Sequence, residues 1–299
     1  MTQYHTPALL EACLEGLRID SSGTYVDATF GGGGHSRAIL EKLKDGMLYG
    51  FDQDDDAVEN TPDNENFTFV HHNFRFIRHF MRYHQVEELD GILADLGVSF
   101  HHFDAAERGF SFRYEADLDM RMNRKASLTA KQVINEYAVD ELTDLFRTYA
   151  DLRNARKLAH VIEKARSNSP IKTTSELSSL VEPEFPSKVR SKFMARFFQA
   201  IRMEVNKEVQ ALEEFLLGGL ELLKPGGRFV IITYHSIEDR LVKNFFKSGN
   251  FQGKIEKDFY GNAQVPFKLI NRSVIIPDEE EIERNPRSRS AKLRIAEKL

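Results

Sequence analysis

The chain has 299 residues, 41% of them apolar, enough to bury a full core in one large or two ordinary domains. Its single cysteine excludes an intrachain disulfide and a cysteine-built zinc site, and its formal net charge of −5 leaves any nucleic-acid contact to a local basic patch. No apolar run approaches the ~20 residues that span a bilayer, and Met1 to Leu17 carries Glu11 and Glu15 instead of a signal-peptide pattern, so the expected location is the cytoplasm.

In chain order, Pro7 to Leu17 reads as a short amphipathic helix with Leu9, Leu10, Cys13, Leu14 and Leu17 on one side. The lone thiol of Cys13 falls on that apolar side, which assigns it to the core. A strand (24–30), a helix (35–43), a strand (47–52) and a short helix (54–60) follow. Then come a strand (67–70), a helix (74–83) and a strand (91–95). Strands alternating with helices predict a doubly wound parallel sheet, whose ligands sit beyond the carboxyl ends of the strands. The next convincing strand is 227–234, too far from residue 96 for an ordinary crossover, so a helical domain is inserted between them. Its helices are expected within 129–166, 174–181 and 190–205, and 206–223 returns the chain to the sheet. A helix over 236–246 and closing antiparallel strands over 267–276 and 292–298 complete the pattern. The domains are drawn as 1–104 with 206–299 for the sheet and 105–205 for the insertion.

The most informative stretch is Tyr25-Val-Asp-Ala-Thr-Phe-Gly-Gly-Gly-Gly-His35-Ser36, a strand, a tight turn and a helix start. A phosphate loop would need Gly-Lys-Ser/Thr here, and a dinucleotide fingerprint would need a third glycine where Ser36 stands. What remains is Asp27 at the strand end, a glycine turn, and Asp52, 19 residues past Gly33, at the distance expected of a carboxylate that holds ribose hydroxyls. Adenosine with an amino-acid end and no pyrophosphate fits, which is S-adenosylmethionine. A nucleotide-like turn that binds no methyl donor fits as well.

Other chemistry is thinner. His71-His72 and His101-His102 are adjacent pairs with no further ligand set, so no metal is expected. Asp52-x-Asp54-x-Asp56 lacks the glycine and glutamate of a calcium loop and reads as a solvated helix start. Arg108-Gly-Phe-Ser-Phe112 either stacks an arginine on a base or is a loop pinned by Phe110 and Phe112. Arg284-Asn-Pro-Arg-Ser-Arg-Ser-Ala-Lys-Leu-Arg294 is basic with interspersed serines and reads as an ordered phosphate-binding segment.

Jointly, His5-Thr-Pro-Ala-Leu-Leu, the glycine stretch, Asp90-Gly-Ile-Leu-Ala-Asp-Leu-Gly-Val-Ser99, Arg108 to Phe112, Leu118-Asp-Met-Arg-Met122, Tyr234-His-Ser-Ile-Glu-Asp-Arg240 and Asn285 to Arg294 resemble the RsmH (MraW) family. These are bacterial small-subunit ribosomal RNA cytosine-N4 methyltransferases, and the resemblance runs from residue 5 to 294. It implies a Rossmann-like class I methyltransferase sheet with an inserted helical domain for substrate recognition. It implies S-adenosylmethionine as donor and a cytidine in the decoding region of 16S rRNA, within the small ribosomal subunit, as acceptor. Neither a membrane nor a metal is implied. Carried over by motif, Gly33, Gly34, His35, Asp52, Phe74 and Asp95 hold the donor, and His102 stands where the family has a glutamine. Asp95 or a neighbouring carbonyl is the candidate acceptor for a hydrogen of the reacting amine. Arg108, Arg196, Arg202, Arg287, Arg289 and Lys292 are the expected RNA contacts. Before the helix with Arg196, Phe198, Gln199 and Arg202, the family's His-Pro-Ala-Thr-Arg reads Lys192-Phe-Met-Ala-Arg196. The alternative of another class is a ribosome-assembly RNA-binding protein with a vestigial donor pocket. A small-molecule methyltransferase is disfavoured by the basic stretch and the long insertion.

Overall fold

The structure is a computed structural model that describes residues 7–97 and 108–299. The chain divides into two compact units, one of residues 1–97 with 210–299 and one of 98–209.

The first unit is built on seven strands: β1 (Thr24–Asp27), β2 (Met47–Asp52), β3 (Phe67–His71), β4 (Leu89–Asp95), β5 (Leu223–Thr233), β8 (Phe267–Leu269) and β9 (Lys292–Lys298), in the order β3-β2-β1-β4-β5-β9-β8. β6 (Glu256–Lys257) and β7 (Ala263–Gln264) form a separate hairpin. Strands β1 to β5 are parallel, and β9 lies antiparallel between β5 and β8. This is the doubly wound class I methyltransferase sheet expected from the sequence.

Both faces are buried, so each strand reads as a continuous apolar run. In β5, Phe229 and Ile231 face one apolar cluster while Val230 and Ile232 face the other, the period of two that a pleated strand imposes. One face is covered by α1 (Leu10–Leu17) and α2 (Gly34–Leu40), through Cys13, Leu14, Leu17, Ile39 and Leu40. Cys13 is buried there, as its place on the helix predicts, and burial raises its thiol pKa well above the usual value. The other face takes Ile77 and Met81 of α3 (Ile77–Tyr83). Two helices further along the chain, Glu208–Leu222 and Ser236–Ser248, add Leu212, Phe215, Leu216, Val242, Phe245 and Phe246. On β2, the ring of Phe67 takes the space that a side chain at position 50 would need: a Cβ on Gly50 would come within 2.6 Å of it.

The second unit is helical: α4 (Ala130–Glu136), α5 (Val139–Ala150), α6 (Ala155–Arg166), α7 (Thr174–Val181) and α8 (Arg190–Val205). Thr129 and Thr173 start α4 and α7 with capping boxes closed by Gln132 and Glu176, which satisfy amides that would otherwise lack acceptors. The core contains Val133, Phe146, Leu158, Leu177, Phe197 and Ile201. The boundaries differ from those read in the sequence because residues 206–208 bond inside this unit. The Asn206 amide nitrogen donates to the Met120 carbonyl at 2.8 Å and its oxygen accepts from the Met122 amide at 2.7 Å. Arg202 donates in a fork to Glu208 at 2.8 and 2.9 Å.

That pair predicts a measurable cost. The Arg202 and Glu208 side chains are 8% and 17% exposed, so removing one partner strands a charge in a poorly solvated place. Arg202→Ala is expected to lower unfolding free energy by about 3 kcal/mol in urea denaturation, and Arg202→Met with Glu208→Leu to restore most of it. An unchanged midpoint in the single variant would show the pair to be structurally idle.

The remaining helices are α9 (Glu208–Leu222), which leads into β5, and α10 (Ser236–Ser248) and α11 (Glu279–Arg284) after it, the last followed by a 3-10 turn at Pro286–Ser290. Among the described residues no helix is long and apolar enough to cross a membrane.

Candidate functional site

The carboxyl ends of the parallel strands carry one acid each on β1, β2 and β4: Asp27, Asp52 and Asp95. The glycine turn between β1 and α2 lies along the same edge. Its geometry explains its composition. Gly31 and Gly33 have φ of 49° and 72°, a region that side chains disfavour, and a Cβ on Gly33 would meet the Phe30 ring at 2.9 Å. The turn is fixed to the sheet by the Phe30 amide, which donates to the Phe51 carbonyl at 2.8 Å.

Asp52 has a structural task that spacing alone does not reveal. One carboxylate oxygen accepts from the Gly31 amide at 2.8 Å and the other from the Asp54 amide at 2.9 Å. The side chain is half-buried, and a carboxylate oxygen can accept from more than one donor. Asp54 caps the 3-10 turn Asp55–Asn60, so this acidic run is the helix start that its composition suggested.

Asp27 is buried and accepts the Ser36 hydroxyl at 2.7 Å and the Thr29 amide at 3.1 Å. Burial raises its carboxyl pKa, opposed by His35 and by these two bonds. Asp95 is half-buried and bonded on two sides. Its amide donates to the Thr29 hydroxyl at 2.6 Å, its carboxylate accepts from the Gly97 amide at 3.5 Å, and the Tyr234 hydroxyl lies beside it. Burial raises the Asp95 pKa as well, with His35, the nearby Tyr234 hydroxyl and the Gly97 amide acting against it. Burial and the adjacent Asp95 raise the Tyr234 phenol in turn. Gly97 permits this contact, since a Cβ there would stand 2.8 Å from the Tyr234 ring. Glu238, in the first turn of α10, accepts from the Tyr234 and His235 amides at 3.0 and 3.4 Å and so holds the phenol in place.

Gly33, Gly34, His35, Asp52 and Asp95 are thus gathered on one edge of the sheet. The His35 imidazole is buried with Nε2 3.1 Å from the Ala8 carbonyl, and its backbone amide lies in the first turn of α2, where it can meet a ligand. Phe74 follows β3, capped by Asn73, with its ring edge-on to Phe215 at 5.1 Å. His102 lies outside the described residues. Thr29, Ser36 and Tyr234 were missed as site residues. Thr29 and Ser36 carry no charge or periodicity to mark them, and Tyr234 is marked only by its place in the Tyr234 to Arg240 motif.

The expected RNA contacts divide. Arg108 and Arg202 are corrections. Arg108 is buried, donates to the Arg121 and Met122 carbonyls at 2.9 Å each and lies over Phe110, so its loop is a pinned one. Arg202 is likewise taken by Glu208. Both lack the exposure that a phosphate or base requires. Arg196 is partly exposed and donates to Asp151 at 3.0 Å. The basic segment is ordered: Asn285 and Ser288 are buried, and Lys292 opens β9 with its ammonium 3.7 Å from Asp239, which also binds Arg294 at 2.8 Å. Arg289 is exposed and Arg287 half-buried.

This donor set suits an adenosyl amino acid: a half-buried carboxylate for a diol, glycine backbone with open space at Gly31, and acids for a cationic end. Comparison with known proteins agrees. The model of the MraW methylase family matches residues 2–299. Ribosomal RNA small subunit methyltransferase H of Bacteroides fragilis is 56% identical over 298 residues, 99% of this chain and 98% of that protein. The proteins of the same name from Bacteroides thetaiotaomicron and Flavobacterium johnsoniae are 56% and 55% identical, over 99% of this chain and 97% and 98% of theirs. A glycine turn flanked by acids, on a doubly wound sheet and within a match of nearly full length, means that this chain belongs to the MraW methylase family, enzymes that take their methyl group from S-adenosylmethionine.

Proposed function

We propose that the chain methylates the N4 amine of a cytidine in the decoding region of 16S ribosomal RNA, within the small ribosomal subunit. The observation that carries the substrate class is identity above one half, over nearly the whole chain, to proteins named for methylation of small-subunit ribosomal RNA. The choice of an exocyclic amine is supported by Asp95 and by the burial of Cys13, which removes the thiol that covalent carbon methylation would need.

S-adenosylmethionine supplies a methyl group already activated on a sulfonium. The protein's work is therefore positioning, with reacting atoms about 3 Å apart. Asp52 would accept the ribose hydroxyls, and the Gly33 to His35 backbone and Phe74 would line the donor. The N4 lone pair of cytosine is delocalised into the ring. A carboxylate accepting one N4 hydrogen favours the rehybridised amine as positive charge develops there. Asp95 would be that acceptor, with the Tyr234 hydroxyl beside it. One N4 proton leaves to water or to the carboxylate after transfer, and the other stays on the methylated amine. Unstacking the target base costs a few kcal/mol unless the RNA already exposes it.

Transfer of tritiated methyl from S-adenosylmethionine to undermethylated small subunits, with mapping of the labelled base, tests this reading. Label at N4 of one decoding-region cytidine is expected. Label elsewhere, or RNA binding without label, would refute it.

Of the basic segment, Arg287, Arg289 and Lys292 are the proposed phosphate contacts. Replacing the three by alanine is expected to flatten the salt dependence of RNA binding by up to about 0.7 in log–log slope per lost contact, leaving donor affinity unchanged. A wild-type slope would confine the segment to its role in the fold and move attention to Arg196.

A further inference from the structure

Far from the acidic edge, the hairpin β6–β7 presents Phe259 and Tyr260 side by side at its tip, 98% and 84% exposed. Two neighbouring aromatics with that exposure add apolar surface in water and nothing to the core. The turn that carries them is nevertheless well ordered. Asp258 accepts from the Tyr260 and Asn262 amides at 2.9 Å each and from the Asn262 side chain at 3.0 Å. The Asp258 amide donates to the Asn262 carbonyl at 2.9 Å, and Gly261 supplies the φ of 86° that closes the turn. Both legs are anchored: Phe251 stacks on Phe245 at 5.2 Å, and Phe267 packs on Phe245 and Phe246 at 5.7 and 5.5 Å.

Charge identifies the partner. Lys254, Lys257 and Lys268 are exposed around the hairpin, and among the described residues no acid pairs with them. Two acids oppose these three lysines, Glu256 and Asp258, and the Asp258 oxygens are already engaged by the turn. In a chain of net charge −5 this is a local cationic surface carrying two presented rings, the combination that tracks a phosphate backbone and stacks on its bases.

We propose that this tip is a second RNA contact, in which Phe259 and Tyr260 stack on unpaired bases of the substrate while the lysines meet its phosphates. The proposal rests on the ribosomal RNA reading above and adds a site to it. The position sets the reach. Phe267 pairs with Lys298, and β9 places that end beside Arg228, at the amino-terminal end of β5. Asp95 and Tyr234 lie at the other end, roughly 20 Å from the leg at Phe267 at ~3.3 Å per strand residue between Arg228 and Tyr234. A short oligonucleotide spanning only the target does not reach both; a full-length small-subunit RNA does.

The chain contains no tryptophan, so Tyr260→Trp installs a single fluorescent reporter at the tip. Titration with full-length small-subunit RNA is expected to quench its emission, and a short target oligonucleotide is expected to leave it unchanged. The double variant Phe259→Ser/Tyr260→Ser is expected to raise KM for full-length RNA about tenfold, the usual worth of base–aromatic stacking, with kcat and the KM for the short oligonucleotide unchanged. Unquenched emission with wild-type kinetics in the double variant, on RNA that the wild-type protein methylates, overturns the proposal. So does a loss of self-association in the double variant, seen by sedimentation, without a change in KM, which would make the tip a contact between copies. A wild-type protein that methylates no RNA at all overturns the functional reading, and this proposal with it.

Discussion

Asp95→Ala is expected to lower turnover by about 10²- to 10³-fold while donor affinity falls far less. That is the usual cost of deleting one electrostatic partner of a developing charge. The Asp95 amide donates to the Thr29 hydroxyl and its carboxylate accepts from the Gly97 amide beside the Tyr234 ring, so the acid is positioned before any substrate arrives. Tyr234→Phe keeps the ring against Gly97 and removes only the hydroxyl, so a smaller loss, confined to kcat, is expected from it. The acid limb of the rate profile offers a further check. The acceptor must be ionised, and burial raises its pKa, so activity is present above that raised pKa and is lost as pH falls through it. The limb should therefore lie above the ordinary aspartate range near 3.9. Equal losses in kcat and donor affinity for Asp95→Ala would make Asp95 a donor-binding residue only.

For Asp52→Ala, weaker binding of S-adenosylmethionine is expected, by about 10- to 100-fold or more in calorimetry. Each charge-assisted hydrogen bond to a ribose hydroxyl contributes roughly 1.5–3 kcal/mol, and tenfold in Kd is about 1.4 kcal/mol. The carboxylate also bonds the Gly31 and Asp54 amides, so alanine loosens the turn as well as removing the acceptor. Asp52→Asn separates the two effects, since its one remaining oxygen can serve the turn or the ribose but not all four donors. Unchanged affinity in both variants would remove Asp52 from the ribose.

Much of this architecture was legible in the residues. The alternation of β-branched runs with helical periods predicted a doubly wound sheet, and the gap between residue 96 and the strand read at 227–234 predicted an insertion. Helices 174–181 and 190–205 fall where the pattern put them because capping residues or apolar periodicity mark their limits. Less legible were elements set by tertiary contacts. The hairpin at 256–264 has two paired residues on each strand, too few for a period to show. Helix α11 begins in the acidic run Asp278 to Glu281, capped by Asp278, with Glu281 accepting from the Leu9 amide 272 positions away. At the candidate site the charges were legible and their partners were not. Asp27, Asp52 and Asp95 stand out at strand ends, whereas the Thr29 bond to Asp95 depends on two strands meeting. The same limit explains Arg108 and Arg202: a sequence shows a cation, and only packing shows that a carbonyl or a carboxylate has already taken it.

The place of β9 has a consequence for biosynthesis. A nascent chain completes β5 and β8 before the strand that pairs with both has been translated. Until Lys292–Lys298 emerges, β5 presents an open edge of Phe229, Val230, Ile231 and Ile232, the sort of surface on which other chains aggregate. The helical insertion has its own apolar core within an unbroken stretch of sequence and can settle earlier. Maturation then has two phases, an early one for the insertion and a late one for the sheet. Chaperone demand should be concentrated in the interval between them.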